Sequence, residues 1–254
     1  MTKWTKTPVV TKNICYAGDA LKKNWDALHK GDIEPFPRDV ALQNAWRAFH
    51  VGDFAAAAEQ GAGATVALKA TAIYANHVEK KDATKIKLYQ EVMAAAEKLI
   101  KAEPKNVNAH YQYAFAAGRY AQSISVIKAL KEGYGGKIKV ALDTALKLDF
   151  KHADAHTALG AYHAEIIDKV GVLVGKLTYG ADKGAAIEHY EKAINLNPMS
   201  PVAHIEYANG LLMIFKGKEI AKATKLYEKA AGMKGRDAME MMDIELAKAE
   251  LEDE

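Results

Sequence analysis

The chain has 254 residues, and 35 basic against 32 acidic side chains leave a formal charge of +3. That near balance calls for neither nucleic acid nor an anionic membrane as partner. The arginines are Arg38, Arg47, Arg119 and Arg236, few for a protein that reads phosphate bidentately. Cys15 stands alone, which excludes a disulfide framework and a thiolate metal site.

The opening MTKWTKTPVVTKN has neither an apolar core nor a small-residue cleavage site. The most apolar stretch, 166–177, carries Asp168, Lys169 and Lys176, so no membrane span is expected. These features predict a cytoplasmic protein, periplasmic only if an export signal has been removed. Residues 1–14 read as a loose polar lead. Leu21, Trp25 and Leu28 are spaced for one face of a first helix over 16–30. In GDIEPFPRD (31–39), Pro35 and Pro37 forbid regular helix and predict a linker, with Asp39 placed to cap the next helix. That helix, over 40–51, carries Trp46 and Phe49. Gly52-Asp53 turns into FAAAAEQ, which Gly61 and Gly63 end. Helices are predicted over 64–80 and 83–103, the second opened by Asp82 and closed before Pro104.

From here the chain repeats. Asn108-Ala-His110-Tyr-Gln-Tyr113-Ala114, Asp154-Ala-His156-Thr-Ala-Leu159-Gly160 and Val202-Ala-His204-Ile-Glu-Tyr207-Ala208 align, with the histidines 46 and 48 residues apart. Tyr134-Gly135 and Tyr179-Gly180 form a second anchor, 45 apart, each ahead of a partner helix (137–149 and 183–196). Ala186, Tyr190 and Ala193 make a small-aromatic-small face, and Ala223, Tyr227 and Ala230 repeat it over 219–233. Pro198 stops one helix and Pro201 starts the next. A fixed period of helix pairs marks a solenoid, whose units bury their faces against neighbours. The last helix, 237–252, has Met239, Met242, Leu246 and Leu251 on one side and reads as the cap. Its acidic end, ELEDE, opposes the macrodipole and is expected to fray.

Leu159-Gly160 on the first helix of a pair, with Ala186, Tyr190, Ala193 and Pro198 on the second, resembles the tetratricopeptide-repeat (TPR) family; Gly52, Phe54 and Ala57 look like a degenerate copy. Here the repeats are longer than that family's, with inserts at 118–135 and 166–182. With GRYAQ after the first-helix core, they are similar to TRAP-transporter T-component proteins and to the helical domain of microtubule-dynamics regulators. The resemblance covers about 40–233. It implies an all-α solenoid of antiparallel helix hairpins, about 12 helices in a right-handed superhelix, as a single domain over 1–254: lead and linker (1–38), repeats (40–233), cap (237–254).

The chemistry candidates each have a plainer reading. His152, His156 and His163, with Asp154, could hold a divalent metal; His110, His156 and His204, however, share one repeat position, which points to packing, so neither metal nor cofactor is expected. Gly171-Val-Leu-Val-Gly175-Lys176-Leu177 fails as a phosphate loop in spacing and in lacking Ser or Thr at 177; its glycines fit a close packing or a kink. Ser123 and Ser125 fall on a predicted helix with no base nearby, and Glu165 with Asp168 reads as a solvated face. Nothing converges on a reaction, so no enzyme is expected.

By the TPR resemblance, ligands lie on first-helix residues of the concave side. These are Asn108, Tyr111, Phe115 and Arg119; Asp154, Thr157, Ala161 and Glu165; Val202, Ile205, Asn209 and Met213. The lining suits a peptide of a protein partner, or a small organic ligand held by aromatic faces with Arg119 fixing an acid. The competing reading is that the long helices or residues 1–38 fill the surface. A closed pocket at Tyr111, Phe115 and Arg119 favours the small ligand of a T-component-like transport protein; an open trough favours the peptide of an interaction scaffold, the leading expectation.

Overall fold

The computed structural model describes residues 4–9 and 14–252; the rest of the lead, at 1–3 and 10–13, and the acidic end at 253–254 lie outside them. Fourteen helices and no strand are found among the described residues. They are α1 (Ala20–Leu28), α2 (Val40–His50), α3 (Phe54–Gln60), α4 (Thr65–His77), α5 (Asp82–Ala102), α6 (Val107–Ile124), α7 (Val126–Lys131), α8 (Tyr134–Leu148), α9 (Ala153–Val170), α10 (Val172–Tyr179), α11 (Lys183–Leu196), α12 (Pro201–Phe215), α13 (Ile220–Ala231) and α14 (Ala238–Glu252). The architecture is an all-α helical repeat in which α6 packs on α8, α9 on α11 and α12 on α13.

The count exceeds the expected dozen because each insert makes a short helix of its own instead of lengthening the one before it. Ser125 adopts φ 91° between α6 and α7, so it is not on a helix as expected. Gly171 adopts φ 80° between α9 and α10, a conformation glycine reaches without steric cost. The chain doubles back at both points, and α7 and α10 lie beside the ends of α6 and α9.

Each repeat starts with the same device. The side chains of Asn106, His152 and Ser200 accept a hydrogen bond from the backbone N–H three residues on, at 3.0, 3.0 and 3.3 Å, satisfying a donor that a helix start leaves unpaired. The repeated histidines clasp the preceding turn. His110 and His156 bond through Nε2 to the carbonyls of Pro104 and Phe150, at 2.9 and 3.0 Å; His204 bonds through Nδ1 to Ser200 O at 2.9 Å. They are polar fasteners of the loop as well as packing groups.

The two ends of the array meet. His50 Nδ1 on α2 lies 2.9 Å from Asp237 Oδ2 ahead of α14, and His77 Nε2 on α4 lies 3.3 Å from Asp243 Oδ1 on α14. Arg236 reaches the Ala27 carbonyl and pairs with Glu240. The described part of the lead lies along this seam: Trp4 stacks on Tyr74 at 4.2 Å, and Tyr16 Oη donates to Arg236 O at 2.6 Å. Residues 31–34, expected as linker, run through the interior. Asp32, 2 % exposed, takes Lys69 Nζ at 2.5 Å and His29 Nδ1 at 2.8 Å.

Candidate functional site

With α14 and residues 31–34 against the inner helices, the concave face is not one open trough. One of the openings left among the described residues is a cavity of about 130 Å³ walled by α6, α7, α8 and α9, with α12 at one edge. A dry cavity of roughly 150 Å³ accepts a benzene ring, so the closed part is about one ring in size. The cavity exists because its walls carry small residues, Ala114, Gly118 and Ala121 on α6, Ala129 on α7, Ala158 and Ala161 on α9. Leucine at any two of these would fill it. Aromatic and branched side chains complete the lining: Tyr111, Phe115, Tyr134, Ile138, Leu142 and Tyr162.

Of the expected groove residues, the fold brings Tyr111, Phe115, Arg119, Asp154, Thr157, Ala161, Glu165 and Val202 to this cavity. Ile205 and Asn209 line an adjoining, larger depression with His77 and Asp243, which shares Arg119, Val202 and Glu206 with the cavity. Met213 packs on the cluster around Tyr190. Asn108 is buried, and its amide donates to Asp32 O at 2.9 Å and Glu34 Oε2 at 2.6 Å. Glu206, Tyr162 and the α7 residues were not among the expected groove residues, and Tyr134 was marked only as a repeat anchor. The insert lengths were the one sign that a first helix does not simply continue.

Arg119 is already engaged by protein partners. Its Nη2 donates to Glu206 Oε1 at 2.6 Å and its Nη1 to Gln122 Oε1 at 3.0 Å, while its carbon end lies over the Phe115 ring at 5.4 Å. Burial pushes Asp154 up to about 6, opposed by Lys69, and also raises Glu165. Asp168 is taken by Lys169 and Lys216, so it does not join Glu165 as a carboxylate pair.

Of the metal candidates, His152 caps α9, His156 Nδ1 meets His189 Nδ1 at 2.8 Å, and His163 stacks on that same His189 ring while its Nδ1 accepts from Asp182 N–H at 3.3 Å. Among the described residues no group of three or more His, Cys, Asp or Glu side chains converges on a point that could hold a metal ion.

The family model of regulator of microtubule dynamics protein 1-3 matches residues 57–249. The chain belongs to that family. The match runs from α3 into α14 and takes in every wall of the cavity. None of the curated proteins matches the chain. No helix among the described residues is long and apolar enough to cross a membrane.

One polar relay lies against the cavity's Tyr111, whose ring is 4.8 Å from that of His152, in this member of the regulator of microtubule dynamics family. Ala155 N–H donates to His152 Nδ1, so the ring proton sits on Nε2, which donates to Asn108 Oδ1 at 2.9 Å. Burial lowers His152 to about 4 from an ordinary value of 6.5. A lowered histidine contributes stability in full above pH 6.5 and loses it as pH falls towards 4, because the unfolded chain takes the proton first. His152→Asn keeps a capping side chain but removes that proton. The slope of unfolding free energy between pH 6.5 and 4 then falls by up to about 1.4 kcal/mol per pH unit. Urea midpoints at pH 7 and pH 5 measure it, and parallel pH profiles for parent and variant would refute it.

Proposed function

We propose that the protein is a non-enzymatic binding module whose working site is the cavity between α6, α8 and α9, and that its guest is a small, mainly apolar organic group. The observation that carries this reading is the cavity's makeup: about 130 Å³ lined by aromatic and branched side chains with a few polar groups, the usual composition of a small-molecule site. Saturation-transfer NMR with 2-phenylethanol, uncharged and one ring in size, tests it. Transfer is expected for the parent and absent for Ala158→Trp, whose indole occupies the space, while both melt within a few degrees of each other. Equal transfer in the two proteins overturns the reading.

A second reading is a scaffold for protein partners. Membership of a family named for the regulation of microtubule dynamics favours it, as does α10, where Leu173 and Leu177 are 72 % and 79 % exposed beside Val172 and Val174. Contiguous exposed apolar side chains mark contact surfaces more often than they decorate monomers. The two readings use different surfaces, so Leu173→Asp with Leu177→Asp should leave the response to 2-phenylethanol intact.

A further inference from the structure

The charges around the cavity are unequal. Three carboxylates line it, Asp154, Glu165 and Glu206, against a single guanidinium, Arg119. That guanidinium is already held by Glu206. Among the described residues neither Asp154 nor Glu165 has an ion-pair partner within 4.0 Å. Glu165 has one weak hydrogen bond, from Gln122 Nε2 at 3.4 Å. Asp154 and Glu165 stand on one face of α9 with Thr157, Ala158 and Ala161 between them, three turns or about 16 Å apart. The apolar floor thus lies between two acids.

An anionic guest would have to share Arg119 with Glu206 or sit unpaired beside Glu165, and an unpaired charge in a partly desolvated site is costly. A cation meets the reverse situation. It would pair with Glu165, while its apolar body packs among the aromatic and branched side chains that line the cavity.

Resting on the pocket reading, we infer that the cavity selects an organic cation, an amine carrying an apolar body of about one ring, with Glu165 receiving the charged head. This reverses the expectation that Arg119 would fix an acid.

The experiment is calorimetric titration of the full chain with three probes of similar size: 2-phenylethylamine, 2-phenylethanol and 3-phenylpropanoate. The amine is expected to bind at least about tenfold tighter than the alcohol, and the acid more weakly than either. Glu165→Gln, at a half-buried position, should abolish the amine's advantage over the alcohol. Glu165→Lys should place the acid above the amine, an inversion that damage to the fold cannot produce. If all three probes bind alike, or the acid binds best to the parent, the charge preference is wrong while the pocket stands. If none binds, the pocket reading itself fails.

Discussion

Replacing Tyr190 by alanine destabilises the fold by about 3–5 kcal/mol, the range for deleting a large aromatic from a core that cannot collapse. Tyr190 is 1 % exposed and stacks on Tyr207 with centroids 5.1 Å apart. Gly160 on α9 and Gly210 on α12 face its ring so closely that an added Cβ would lie 2.8 and 2.5 Å from ring atoms. The three residues form one joint, with the phenol of α11 seated against two helices that approach it only because they lack side chains there. Gly160→Ala in the parent should therefore cost about 1–3 kcal/mol through overpacking. In the Tyr190→Ala background the same change should cost far less, since the ring it strikes is gone. Denaturant unfolding of the four proteins measures the coupling. Additive losses, or a Tyr190→Ala loss no larger than that of a surface substitution, would rule the joint out.

Lys69→Ala should cost a similar amount, about 3–5 kcal/mol, because it leaves a buried carboxylate without its cation. Lys69 is 6 % exposed and lies over Phe49 at 5.4 Å. Burial works against its charge, but Asp32 more than offsets that and holds the ammonium above its ordinary range. Burial likewise opposes the charge on Asp32, and Lys69 and His29 together hold that carboxyl well below its usual range. Lys69→Met combined with Asp32→Asn removes both charges and should recover part of the loss, which separates the electrostatic cost from the packing cost. A loss below about 1 kcal/mol for Lys69→Ala alone would mean that water reaches Asp32.

These two sites differ in how well the sequence announced them. Tyr190 was legible: small residues at 186 and 193 bracket it, and a prolyl stop comes soon after. Lys69 was not, because a lysine amid Ala, Leu and Thr on a helix reads as a solvated side chain until its burying partner is known. That partner sits 37 residues away in a proline-flanked segment that local rules assign to a connector. The cavity lies between these cases. The tetratricopeptide resemblance implied that Tyr111, Phe115, Asp154 and Glu165 share the concave side, and the fold brings all four to the cavity. What the sequence could not show is that the inserts double back as α7 and α10. It also could not show that residues 31–34 run beside Asn108, whose amide then serves the interior, or that α14 comes to rest beside α2 and α4 and lines another depression with Asn209. Those placements depend on how successive pairs stack, and the repeat spacing carries no information about that.

The meeting of His50 with Asp237, 187 residues apart in the chain, changes how the molecule should come apart. An open array of repeats loses its terminal units one by one, each held by a single neighbour. A circle has no terminal unit. Thermal or chemical melting should accordingly occur as one concerted event with no partly unravelled species, and refolding should be slow for an all-helical protein, since the last contact to form spans most of the polypeptide.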